Sequence, residues 1–113
     1  KSAEQWITDR TKEYVNAYAA IEMEFNRLGL TCFNPEGAFY VFPCIKSTGL
    51  TSDEFCERLL YEGKVAAVPG TAFGDSGEGY MRISYAYSLK HLMEAIRRIE
   101  IFLKKLEAEK NEG

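Results

Sequence analysis

The sequence predicts an α+β fold: a small mixed sheet of about four strands, with helices packed on one face and a long helix at the N-terminus. Three observations carry this. Helical and strand periodicities follow one another in the order helix, strand, strand, helix, strand, strand, helix. Two of the helices open on capping-box sequences. Turn-forming residues, Asn34-Pro35-Glu36-Gly37 and the glycines of 70–79, separate the strands of each pair.

The first helix is expected over residues 2–28. Ser2 and Gln5 fit a capping box, Ile7, Tyr14, Tyr18, Ile21, Phe25 and Leu28 recur at spacings of three, four or seven, and Gly29 fits the stop. At about 1.5 Å per residue such a helix is roughly 40 Å long. A domain of this size has a radius of gyration near ~13 Å, so the helix nearly spans or overhangs it, a length suited to bridging. Clean heptads with flanking charges are missing, which argues against a coiled coil.

A short strand at 31–33 and a longer one at 38–45 flank the Asn34–Gly37 turn. Ala38 to Phe42 is apolar on both faces, so this strand should be central, with Phe39, Tyr40 and Phe42 as core. Thr51 and Glu54 make the second capping box, with Leu50 and Phe55 at its staple positions. Phe55, Cys56, Leu59 and Leu60 form the helical stripe, and Gly63 is read as its end. Val65–Gly70 reads as a short buried strand. The loop that follows holds Gly70, Gly74, Gly77 and Gly79. In the strand at 80–86, alternation gives Met81, Ile83 and Tyr85 one face and Tyr80, Arg82, Ser84 and Ala86 the other. Ser88 should cap a last helix with Leu89, Leu92, Met93, Ile96, Ile99, Leu103 and Leu106 inward. Glu94–Arg98 and Glu100–Lys104 should pair outside, and the final Glu-Lys-Asn-Glu-Gly should fray.

Composition bounds the function. The chain has 113 residues, 46% apolar and 27% charged, which suits one globular domain. A net charge of −3 gives no electrostatic footprint for nucleic acid or an anionic membrane. No apolar run reaches the length of a membrane span and no signal peptide opens the chain, so a cytoplasmic location is expected. Cys32, Cys44 and Cys56 form no CxxC pair and read as reduced, buried, cytosolic thiols. His91 is the only histidine, which leaves little for a zinc site or a Ser/His/Asp triad. No metal site is expected.

The glycine loop lacks the Lys-Ser/Thr of a phosphate-binding loop and the third glycine of GxGxxG. Asp75 and Glu78 would repel an anion. Its glycines are better read as letting backbone pass close to a neighbour. Lys46, Lys64 and Lys90 lie at element ends and are expected in solvent, whereas Schiff-base chemistry needs a desolvated lysine. Nothing pairs a nucleophile with a base. Arg82 remains as the one odd charge, on a strand face with small neighbours that leave space in front of a guanidinium. From the strand alone two readings stay open: an arginine in water, or one that holds a ligand.

The segments Pro35–Pro43, Val65–Ala86 and Leu92–Leu103 closely resemble the C-terminal part of fold-type I, pyridoxal-phosphate-dependent aminotransferases of class I and II. The resemblance is strongest to bacterial branches handling aspartate, aromatic amino acids or N-acetyl-diaminopimelate. It rests on GAFY at 37–40, PGTAFG at 69–74 and the R-x-S-x-A strand from Arg82 to Ala86, in combination and at these spacings. It implies that residues 1–28 are the interdomain helix and 29–113 the small domain of a longer enzyme, one that closes over the active site. It implies that Arg82 binds the substrate's α-carboxylate and that the parent moves an amino group between an amino acid and a 2-oxo acid by a ping-pong route. The implied partners are the large cofactor-binding domain of the same chain and a second subunit of a homodimer. The family's catalytic lysine, phosphate cradle and pyridine-pairing aspartate match no segment here. No catalytic and no cofactor-binding residue is therefore expected in this chain. The rival readings are a stand-alone α+β regulatory module that binds an amino-acid effector through Arg82, and a purely structural module whose open sheet face serves assembly. A reading frame continuing upstream into a domain with an active-site lysine would favour the enzyme.

Overall fold

A computed structural model describes residues 2–11, 17–33, 40–84 and 89–112. The elements run α1 (Ala3–Thr11), α2 (Ala17–Arg27), β1 (Cys32–Phe33), β2 (Tyr40–Pro43), α3 (Ser52–Arg58), β3 (Val68–Pro69), β4 (Met81–Ser84) and α4 (Leu89–Glu112). The fold is α+β, with a four-stranded sheet in the order β1-β2-β4-β3. Its three described pairings are all antiparallel, where a mixed sheet was expected. The strands join as two hairpin-type pairs, and β4 meets β2 edge to edge in the same antiparallel sense. β2 is interior, as its apolar character required.

Helix formation follows local rules. The Thr51 hydroxyl accepts from the Glu54 N–H while the Glu54 carboxylate accepts from the Thr51 N–H, a complete capping box. Ser2 accepts from the Gln5 N–H at 3.1 Å, but the Gln5 side chain donates onward to Asp9 rather than back to Ser2. Gly29 ends α2 with a φ of +83°. Gly63 does not end α3 in this way. The helix continues as a π-turn over Leu59–Gly63, and the left-handed residue is Lys64, φ 59°. A Cβ on Gly63 would stand 2.9 Å from Leu59 Cδ1, the mobile end of a leucine that a small rotation could move aside.

The core lies between one sheet face and the helices. Val41, Ile45, Met81 and Ile83 meet Ile21, Phe25, Leu30, Phe55, Leu59, Met93, Ile96, Ile99 and Phe102 in one buried cluster. Phe102 stands edge-on to Phe55 with centroids 5.4 Å apart. It takes the inward position expected of Leu103, which is only half-buried. α1 and α2 both pack against α4, with Ile7 and Ile21 in the core. α2 is also tied by charge. Glu24 is buried, its carboxylate accepts from Arg27 at 2.9 Å, and Arg27 reaches Glu100 on α4 at 3.1 Å. The outer pairs Glu94–Arg98 and Glu100–Lys104 form as expected, and Arg97 joins Glu94 at 2.6 Å. α4 runs through to Glu112, across the segment expected to fray. Continuity of one helix through residues 12–16, the turn at 34–37, the aromatic Phe39 and the cap at Ser88 lie outside the described residues.

Candidate functional site

Alternation along β4 puts Met81 and Ile83 into the core and turns half-buried Arg82 to the other sheet face. Antiparallel register gives Arg82 two cross-strand neighbours on that face. Val68 of β3 is paired with it directly. On β2, the pairs Tyr40–Ser84 and Val41–Ile83 set Phe42 opposite it. A third apolar group comes from the loop: Arg82 Cζ lies 4.2 Å from the centroid of the Phe73 ring, which is 50% exposed. Arg82 thus shares its sheet face with Phe42 and Val68, and its guanidinium lies against Phe73. Apolar neighbours lower the local dielectric and strengthen a cation's pull on an anion, while the planar fork suits a carboxylate.

The loop that carries Phe73 is held in one shape. Gly70–Phe73 and Asp75–Gly77 are two successive 3₁₀ turns. Gly70 donates to Tyr80 O at 2.8 Å and Tyr80 donates back to Gly77 O at 3.1 Å. Gly70 and Gly77 touch: a Cβ on Gly70 would stand 2.1 Å from Gly77 O, which only glycine avoids. The loop is then pinned to the start of α3. Buried Ser52 accepts from the N–H of Gly79 at 2.7 Å and of Tyr80 at 3.2 Å, and donates to Glu78 at 3.1 Å. Glu78 also accepts the Ser52 N–H at 2.8 Å, which is the main reason its carboxyl is held below the ordinary value. Thr71 donates to Asp53 at 2.8 Å. The N–H groups of Gly70, Gly74, Gly77, Glu78 and Gly79 all bond within this network, so they do not form a phosphate cradle.

Other candidate chemistry is not assembled. Every described lysine is exposed, Lys46, Lys64 and Lys90 included. The three cysteines are free. Burial pushes the Cys32 thiol up to about 12 and the Cys56 thiol up to about 11, which keeps both protonated. Register sets Cys32 opposite Pro43, so Cys32 and Cys44 point to opposite faces. His91 is exposed, at the rim of a groove of about 330 Å³ whose floor includes Val65, Ile83 and Leu92, on the far side of β4 from Arg82. Among the described residues no His, Cys, Asp and Glu cluster could hold a metal ion. No described helix is long and apolar enough to cross a membrane. Among the described residues no lysine is desolvated, as a Schiff base with pyridoxal phosphate would need, and the N–H groups of Gly70, Gly74, Gly77, Glu78 and Gly79 are already bonded.

The sequence reading singled out Arg82 and the glycine loop. It missed Phe73, although an aromatic alone among Gly, Thr, Ala, Asp and Ser was itself a signal. It also missed Ser52, whose place one step after a capping threonine looked ordinary.

Comparison with known proteins agrees with the sequence motifs. Residues 1–99 match the family described as aminotransferase class I and II. The aspartate aminotransferase of Pyrococcus abyssi is 50% identical over 98 residues, 87% of this chain and 25% of that protein. Aromatic-amino-acid aminotransferase 2 of Thermococcus litoralis is 47% identical over 100 residues, 88% of this chain and 26% of that protein. The crystal structure of the aromatic aminotransferase from Pyrococcus horikoshii OT3 superposes with a TM-score of 0.76 at 50% identity, covering 83% of this chain and 25% of that one. The chain spans about a quarter of the length of the curated relatives it matches. On the family match, the identities and the shared fold together, this chain belongs to the aminotransferase class I and II family.

Proposed function

We propose that this chain acts as the small domain of a pyridoxal-phosphate-dependent aminotransferase, and that Arg82 grips the α-carboxylate of the amino-acid or 2-oxo-acid substrate. The observation that carries the reading is the setting of Arg82: a half-buried arginine on the sheet face away from the helices, beside Phe42 and Val68 across the strands and with its guanidinium against the Phe73 ring. A carboxylate held there by two parallel hydrogen bonds is fixed in orientation as well as charge. Orientation matters because the substrate's reacting Cα must be presented at one angle to the group that activates it. The cofactor and its lysine belong, on this reading, to a large domain of the same enzyme, working as a homodimer in the cytoplasm. The small domain contributes substrate binding, orientation and exclusion of water as it closes over the site. The amino donor is left to residues beyond this chain.

The test is Arg82→Ala and Arg82→Lys in the full-length enzyme, with several amino acids and one decarboxylated amine as substrates. Leaving a carboxylate unpaired in a partly dry site costs about 2–5 kcal/mol, roughly 30- to several-thousand-fold in kcat/KM. Lysine recovers part of this, since a point charge cannot reproduce the fork. The loss is shared by all amino acids and spares the amine. Activity of Arg82→Ala within about threefold of wild type would remove the clamp from the mechanism.

A further inference from the structure

We infer that Phe73 is a positioning residue for the carboxylate site: its ring backs the Arg82 guanidinium and aims that group's in-plane donors at the substrate. The inference rests on the Arg82 reading above and adds a second residue, from a different element, to the same site.

Half of the Phe73 side chain stays in water, so burial of the ring is a poor account of why an aromatic stands in this polar loop. What the ring does contact is a cation, at 4.2 Å from Cζ to centroid. A guanidinium over an aromatic face can stack with its flat side on the ring. Hydrogen bonds to a carboxylate run in its plane. The two interactions therefore use different parts of one group, and the first narrows the rotamers from which the second is made. Arginine is long and flexible, and a fixed ring removes freedom that substrate binding would otherwise have to remove.

The ring can serve as a fixed reference because its loop is braced. Gly70 bonds Tyr80, Thr71 bonds Asp53, and Gly79 and Tyr80 bond the buried Ser52 hydroxyl. The nearby acid is committed elsewhere: Glu78, four residues before Arg82, accepts from Ser52.

The experiment compares Phe73→Leu, Phe73→Tyr and Arg82→Ala in the full-length enzyme, with a thermal melt of each. Leucine keeps much of the volume and removes the π face. Phe73→Leu is expected to lower kcat/KM for amino acids by about three- to thirtyfold. The loss should appear mainly in KM, because the carboxylate is bound alike in ground and transition states. Phe73→Tyr should stay within about twofold of wild type. A decarboxylated amine should be indifferent to both, and Phe73→Leu should add nothing on an Arg82→Ala background. If Arg82→Ala collapses activity while Phe73→Leu matches wild type, or if tyrosine is as damaging as leucine, the role given to Phe73 is wrong and the carboxylate clamp stands. If Arg82→Ala is harmless, both fall together.

Discussion

Removing the hydroxyl of Ser52 should unfasten the glycine loop from the sheet and the helix at once. Ser52 is fully buried and its Oγ joins three groups: it accepts from Gly79 N–H and Tyr80 N–H and donates to Glu78. In Ser52→Ala, Tyr80 N–H keeps Gly77 O and Glu78 keeps the Ser52 N–H. The buried Gly79 N–H loses the acceptor at 2.7 Å. An orphaned buried donor costs about 1–3 kcal/mol, and the lost bond to a carboxylate adds about 1. Alanine's better helix propensity returns about 0.5. The net is about 2 kcal/mol, which at ~2 kcal/mol per molar urea lowers the midpoint of this chain's unfolding by about 1 M. Thr51→Ala, which removes the cap and leaves the loop bonded, should cost about 1 kcal/mol. Amide exchange separates the two: only Ser52→Ala should expose Gly79 N–H. A midpoint shift for Ser52→Ala no larger than for Thr51→Ala, with Gly79 still protected, would refute the idea that this hydroxyl is the fastening.

Gly70→Ala should cost about 3 kcal/mol or more in the same urea assay, because its Cβ would meet backbone at 2.1 Å; a loss under ~1 kcal/mol would mean the two turns can part freely. Arg27→Met should destabilise by about 2 kcal/mol, since it removes a charged hydrogen-bond donor from the buried Glu24 carboxylate, and by more than Arg58→Met in the exposed network with Glu62 and Glu109; equal effects would contradict this. The Glu78 carboxyl is held below its ordinary 4.5 by the Ser52 N–H, so its contribution to stability is complete above that pH and lost as pH falls through the lower folded value; an NMR titration showing a normal or raised value would contradict the network. This chain mixed with pyridoxal phosphate and reduced with borohydride should give no stoichiometric pyridoxyl-lysine, because its described lysines are exposed; modification at one site would overturn this. The chain alone should also self-associate or bind a hydrophobic dye through its exposed Met23, Phe73 and Ile101; a dye-silent monomer at high concentration in the ultracentrifuge would count against it.

Local order was largely legible in the sequence, and long-range partnership was not. The Thr51/Glu54 box, the inward Met81 and Ile83 beside an outward Arg82, and the interior place of β2 follow from spacing, since each depends on neighbours within four residues or on face alternation. The glycines were rightly read as permitting close approach, but nothing local says that Gly70 meets Gly77. Gly63 misled because glycine is the usual helix stop, yet the left-handed turn fell to Lys64 one residue later. The exchange of Phe102 for Leu103 on the buried side follows from the edge of Phe55, a residue 47 positions earlier in the chain. The contact of Phe73 with Arg82 belongs to the same class: two residues nine apart that only a folded loop can bring together.

The Glu24–Arg27–Glu100 chain acts as a mechanical key between α2 and α4. A helix advances about 100° per residue, so slipping α2 by one residue against α4 would swing Glu24 out of its pocket and break its link through Arg27. The pair therefore favours one register of α2 against α4. α4 shares its core with Met81 and Ile83, the residues on either side of Arg82. One buried cluster thus joins α2 and α4 to the strand that carries the arginine, so a change in how the helices pack is felt at the residues flanking Arg82.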